Sequence, residues 1–283
     1  MTAGELYHDA IERFARAGIA APRTDAGILI AHAFGLERID ILADKDREAG
    51  FLKKRRALKM IERRLANEPV AYILGYRHFY LDKFIVTPDV LIPRCDTEHI
   101  IYTAERYGKQ RGGYKRILDI GTGSGAIAVS LARVFPDSAV IGIDVVTRIA
   151  EKNVRALGVS NVHILFQDMM ELEPAPGTLF DLVVSNPPYL SGGDMKNLAP
   201  EVRDYEPDGA LYGGLDGLDY YRRIAELLPG LLDSKGMLLL ETDYKWREVS
   251  EVFMRKGYPT LEIVKDYNGI ERVLAIGKTH PNI

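Results

Sequence analysis

Ile117-Leu118-Asp119-Ile120-Gly121-Thr122-Gly123-Ser124-Gly125-Ala126-Ile127-Ala128 reads as a buried strand, a glycine turn and the start of a helix. The apolar run suits a strand covered on both faces. The glycines let the backbone turn sharply and approach a ligand with no Cβ in the way. The next apolar run, Val140-Ile141-Gly142-Ile143-Asp144, ends in a carboxylate about 20 residues further on, where an acid accepts hydrogen bonds from a vicinal ribose diol. Working outward, the pattern predicts strands near 116–120, 139–143, 162–166, 181–185, 236–241, 260–264 and 271–276. Helices are expected near 125–135, 147–157, 217–232 and 245–256. This alternation is the signature of a doubly wound, Rossmann-like α/β sheet, here seven-stranded.

By itself the glycine loop leaves two cofactor classes open. Gly121-x-Gly123-x-x-Ala126 also satisfies the dinucleotide fingerprint, so a nicotinamide enzyme stands beside an S-adenosylmethionine enzyme. Asp119, two residues before the first glycine, places an acid near the loop. A pyrophosphate is disfavoured there, whereas an ammonium or sulfonium is not. The fourth strand supplies a second argument. It closes with Asn186-Pro187-Pro188-Tyr189, a stiff turn that offers a carboxamide oxygen, a bare carbonyl and an aromatic face. Such a corner suits a planar NH2 group. The third strand ends at Asp168-Met169, where the acid can take a hydrogen bond from an adenine amino group and Met169 can pack on the ring.

Before the sheet, residues to about Arg77 read as helical. Leu6, Ala10, Ile11 and Phe14 form one stripe, a second helix begins at Thr24 or Asp25, and a third runs from about Glu48 to Asn67. That third helix carries Lys53, Lys54, Arg55, Arg56, Lys59, Arg63 and Arg64, read as a solvated face or as a docking face for an acidic partner or RNA. From Val70 to Pro93 the pattern is β-like, and Asp96 or Thr97 is expected to cap the next helix. The expected domains are 1–72 (helical), 73–95 (β-hairpin bridge) and 96–283 (the α/β sheet). The segment 191–215 is a long Gly/Pro-rich loop, of the kind that is more often functional than idle.

Composition narrows the function classes. A formal charge of −3 over 283 residues gives no support for a nucleic-acid partner. The single cysteine, Cys95, rules out an internal disulfide and a multi-cysteine zinc site, and it fits a reducing compartment. The histidines, His280 among them, are scattered, so no metal is expected. With no signal-like start and no apolar run long enough to span a bilayer, the expectation is cytoplasmic and not membrane-bound.

With these motifs in view, the chain resembles the HemK/PrmC family of protein-(glutamine-N5) methyltransferases acting on peptide-chain release factors. The resemblance runs from Glu68-Pro69-Val70-Ala71-Tyr72-Ile73-Leu74-Gly75 through Leu91-Ile92-Pro93-Arg94-Cys95-Asp96-Thr97-Glu98 and Asn186–Tyr189. It continues through Tyr205-Glu206-Pro207 and Gly213-Gly214-Leu215-Asp216-Gly217-Leu218 to Gly269-Ile270-Glu271-Arg272-Val273. It implies S-adenosylmethionine as methyl donor and S-adenosylhomocysteine as product. It also implies a Gly-Gly-Gln glutamine of class-1 release factors as acceptor, in a monomer needing no direct nucleic-acid contact. Gly121, Thr122, Gly123, Ser124, Gly125, Asp144, Met169 and Asn186 are thereby expected at the cofactor, joined by Asp168 from the residue reading. Asn186, Pro187, Pro188 and Tyr189 are expected to hold the amide, with Asn186, Pro187 and Tyr189 in the catalytic roles. The chain departs from the family pattern at Cys95, usually proline, at Met169, usually aromatic, and over Glu241–Trp246. Alternative acceptors are a ribosomal-protein glutamine and adenine N6 of a nucleic acid, and a cofactor-binding scaffold without catalysis is the non-enzymatic rival.

Overall fold

The computed structural model describes residues 2–43, 48 and 50–278. Contacts divide them into two units: 1–76 with 199–205, and 77–198 with 206–283.

The first unit is helical. Helix α1 (Ala3–Arg16) opens with a capping box in which Thr2 and Glu5 satisfy each other's backbone N–H. It is followed by α2 (Pro22–Phe34), α3 (Arg38–Ala43), α4 (Phe51–Leu65) and α5 (Val70–Leu74). Leu6, Phe14, Leu29, Ile30, Phe34, Ala57 and Ile61 form its core. One expectation changes here. Val70–Leu74 is a short helix rather than a strand, framed by Pro69 and by Gly75 in the left-handed region. The basic face of α4 is exposed at Lys53, Arg55, Arg56 and Lys59, as a solvated face is, and some of its cations have partners within the unit: Arg63 binds Glu68, Lys53 donates to the Phe34 carbonyl, and Arg56 meets His32. Arg64, 4% exposed, pairs with Asp25 at 2.8 Å and with Glu201. Glu201 lies on a one-turn helix, α9 (Pro200–Arg203), within the long loop, which also contains two 3-10 turns.

The second unit begins inside the first strand of a hairpin, β1 (Tyr76–Phe79) with β2 (Asp82–Ile85), followed by α6 (Glu98–Arg111). The alternating part follows: β3 (Arg116–Ile120), α7 (Ala126–Val134), β4 (Ala139–Asp144), α8 (Arg148–Leu157), β5 (Val162–Phe166) and β6 (Phe180–Ser185). After the long loop come α10 (Asp219–Leu231), β7 (Leu232–Glu241), α11 (Trp246–Met254), β8 (Thr260–Lys265) and β9 (Glu271–Gly277). The seven strands stand in the order β5-β4-β3-β6-β7-β9-β8, and only β9 runs antiparallel to its neighbours. Two apolar layers cover the faces. One holds Ile101, Ile127, Val129, Leu131 and the hairpin residues Phe79 and Phe84; the other holds Tyr221, Leu228, Val249 and Phe253. Strand order reverses between β3 and β6, and open sheets of this kind bind ligands beyond the carboxyl ends at such a point. Among the described residues no helix is long and apolar enough to cross a membrane.

Candidate active site

A cavity of about 290 Å³ opens at that reversal, lined by Gly121 and Gly123 after β3, Asp144 after β4, Asp168 and Met169 after β5, and Asn186, Pro187 and Pro188 after β6. The Ser185 hydroxyl donates to the Ile120 carbonyl at 2.7 Å, which fastens the strand carrying the proline corner to the strand carrying the glycine loop. Two motifs 65 residues apart thus face one space.

The glycine loop is shaped by its neighbours before any ligand arrives. Gly121 and Gly123 have φ of 75° and 55°, and a Cβ on either would meet nothing within 4 Å. Their bare backbone therefore borders open space. At Gly125, in contrast, an added Cβ would stand 3.3 Å from the Ala150 Cα and crowd α8. Asp144 accepts the Gly123 N–H at 2.7 Å and the Val146 N–H at 2.9 Å. Burial raises its carboxyl above the usual range while these two bonds oppose the rise. Asn153 ties the loop to the hairpin, donating to the Ser124 carbonyl at 2.8 Å and bracketing Ile85 through both its amide atoms.

Thr122, Ser124 and Gly125 do not line the cavity. Thr122 and Ser124 are buried, and the Thr122 hydroxyl donates to Asp119 at 2.6 Å. Asp119 is also displaced from its expected role. It is fully buried, and its carboxylate accepts from Thr122 and from the Ala128 N–H at 3.1 Å, at the first turn of α7. Burial pushes this carboxyl up to about 7. It supports the loop from beneath rather than bordering the ligand space.

Beyond β5, Met169 is buried in the cavity wall and Asp168 accepts the Met170 N–H at 2.8 Å. Tyr189 stands apart from the other three corner residues. Its ring packs against the apolar layer containing Tyr221 and Leu218, and burial raises its phenol. Asn186 faces the cavity, and its Nδ2 donates to the Thr97 hydroxyl at 3.1 Å. Thr97 therefore does not cap α6 as expected, and no side-chain cap is present at that end.

The corner rests on glycines. A Cβ on Gly213 would stand 2.6 Å from the Pro188 oxygen, and one on Gly217 would stand 2.3 Å from the Tyr189 oxygen. Leu190 pairs with Tyr212 as a parallel bridge, through Leu190 N–H to Leu211 O and Gly213 N–H to Leu190 O, both 2.9 Å. Sequence reasoning missed Asp89–Leu91, Gly209, Ala210 and Tyr220, which also line the cavity. The quoted Tyr205-Glu206-Pro207 was the available pointer, since Pro207 lies on the same wall. Glu206 is buried there, paired with Arg94 and accepting the Ile92 N–H at 3.2 Å. His280 lies outside the described residues.

The cavity fits a nucleoside cofactor: bare glycine backbone, an acid held by the loop itself, and an apolar wall of Ile143 and Met169 with Asp168 at its edge. Residues 96–212 match a family described as "Methyltransferase domain", and residues 5–75 match "PrmC N-terminal domain". Fold, cavity and match together define an S-adenosylmethionine-dependent methyltransferase.

The chain is 38% identical to the release factor glutamine methyltransferase of Geobacter sulfurreducens over 264 residues, covering 92% of this chain and 91% of that protein. To the release factor glutamine methyltransferase of Rhodopirellula baltica it is 35% identical over 273 residues, covering 94% and 92%. It belongs to the release factor glutamine methyltransferase family. A solved methyltransferase from Pyrococcus furiosus aligns with a TM-score of 0.51 at 19% identity, over 80% of this chain and 99% of that one, a likeness of fold.

Proposed function

We propose that this enzyme methylates the side-chain amide nitrogen of the glutamine in the Gly-Gly-Gln motif of class-1 release factors, acting as a monomer in the cytoplasm. One observation carries the reading: Asn186, Pro187 and Pro188 border the same cavity as Gly121, Gly123 and Asp144. An acceptor-only corner and a nucleoside site in one space suit methyl transfer to a planar NH2 group.

An amide nitrogen is a poor nucleophile because its lone pair is delocalised into the carbonyl. Asn186 Oδ1 and the Pro187 carbonyl accept its two N–H groups, which fixes the nitrogen and stabilises the positive charge that develops on it. When bound, the cofactor supplies an activated methyl group on a sulfonium. Asp144 holds the ribose, Asp168 and Met169 the adenine, and Gly121 and Gly123 admit the backbone-side approach. Orientation of this kind contributes roughly 7–11 kcal/mol in favourable cases. No side chain is assigned as general base, because the departing proton becomes acidic as the new bond forms. The helical unit, 1–76 with 199–205, is assigned to docking the protein substrate.

The deciding experiment incubates the enzyme with methyl-labelled cofactor and a purified release factor, either intact or with its Gly-Gly-Gln glutamine replaced. Label on the intact protein only is the expected result. Equal label on both rejects the assigned acceptor, and a labelled ribosomal protein in its place would redirect it.

A further inference from the structure

The parallel ladder of β6 and β7 pairs Val184 with Leu239 and Ser185 with Leu240. Asn186, which follows β6, and Glu241, the last residue of β7, therefore stand side by side. Glu241 is 2% exposed, and its Oε2 has no hydrogen-bond partner. Beside the two stands Thr97, 4% exposed, whose hydroxyl accepts from Asn186 Nδ2 at 3.1 Å and draws the Glu241 carboxyl down against the effect of burial.

A hydroxyl owns a single proton. When Glu241 is ionised, that proton goes to the carboxylate, and Thr97 Oγ1 has only lone pairs left for Asn186. The carboxamide must then turn its NH2 toward Thr97 and its oxygen away. We propose that Thr97 and Glu241 are positioning residues that set the amide orientation of Asn186, so that an acceptor rather than a donor meets the substrate NH2. The inference rests on the glutamine-binding reading of the corner and deepens it.

The reverse orientation sets NH2 against NH2 and loses the clamp. It becomes accessible when Glu241 is neutral. The acid then donates to Thr97 Oγ1, and the Thr97 proton is free for Asn186 Oδ1. Burial holds the Glu241 carboxyl up, at about 7, with Asp96 adding to the rise and Arg272 and Arg94 opposing it. The phenols of Tyr189 and Tyr221 also feel the Glu241 charge, and Tyr221 donates to the Glu241 main-chain carbonyl at 2.9 Å. Protonation of one buried acid thus withdraws the clamp as pH falls through neutrality.

Two measurements on the full-length enzyme test this. In steady-state methylation of a release factor, Thr97→Val is expected to lower kcat about tenfold with little change in KM, matching one lost orienting bond. Thr97→Ser, which keeps the hydroxyl, restores kcat. Glu241→Gln lowers kcat and removes the acid limb near pH 7. An unchanged kcat in Thr97→Val, or an acid limb retained in Glu241→Gln, overturns the proposal. The second measurement needs no substrate: the Asn186 side-chain NH2 resonance, followed by nitrogen-15 NMR between pH 5 and 9. A titration midpoint near 7 in the wild type, absent in Glu241→Gln, supports the relay, and a flat wild-type profile overturns it. A wild type that titrates but leaves release factor unmethylated refutes the substrate reading and not the relay.

Discussion

Gly213 abuts the Pro188 carbonyl so closely that a Cβ at position 213 would sit 2.6 Å from the oxygen. No rotamer escapes this, because the contact is with main chain. Gly213→Ala is expected to shift the proline corner and lower kcat, with an overpacking cost of about 1–3 kcal/mol in stability. Cofactor affinity, measured by calorimetry, should stay near wild type, since Gly213 does not line the cavity. Unaltered turnover in a folded variant would show that the corner tolerates displacement.

Asn186→Ala removes one of the two acceptors assigned to the amide. Turnover should fall by about a hundredfold or more, the scale seen when a single preorganised charge-stabilising group is lost. Cofactor binding is expected to persist. Turnover equal to wild type would refute the clamp.

Asp144 has a double task, because the carboxylate assigned to the ribose also accepts from Gly123 and Val146. Asp144→Ala is expected to weaken cofactor affinity about tenfold or more, through lost charge-assisted bonds and a loosened loop. Calorimetry showing no change would remove the assignment.

Asp119 supplies a pH prediction. Its folded-state value of about 7 lies above the ordinary 3.8, so the folded chain holds this proton more tightly than the unfolded chain. The associated stability is fully present below about 4 and is lost as pH rises toward 7, above which the loss is constant. Asp119→Asn has no such proton. Urea midpoints should therefore show the variant gaining on the wild type between pH 4 and 7, then holding a fixed lead. A lead that is constant across that window would contradict the burial of a titrating acid.

In the helical unit, Arg64→Leu leaves Asp25 without its cation. Loss of one partner from a buried pair costs about 3–5 kcal/mol. The change should also free the 199–205 turn that Glu201 anchors, seen as faster backbone hydrogen exchange there.

Much of this was readable from local pattern. Buried parallel strands such as Val140–Ile143 are apolar runs, and the glycine loop and proline corner are contiguous motifs with their own chemistry. Errors arose where a residue's partner is remote, or where a neighbouring group claims a residue that reads as free. Thr97 looks like a helix cap, yet its hydroxyl serves Asn186, 89 positions away. Asp119 looks like a ligand-side acid, yet Thr122 and Ala128 claim it. Val70–Leu74 has β-like composition, and only its Pro69 and Gly75 frame makes it a helix. The basic run on α4, read as a solvated or docking face, stays exposed at Lys53, Arg55, Arg56 and Lys59, but the sequence could not show that Arg63 and Arg64 pair with acids within the unit. Tyr220 and Asp89–Leu91 carry no local signature; topology alone brings them to the cavity.

A floor made of bare peptide has no interchangeable parts. Redirecting this enzyme toward a different amide acceptor by mutation therefore leaves Gly213 and Gly217 out of the library. The positions to vary are instead side chains that line the cavity, Asp89, Leu91, Ala210 and Tyr220.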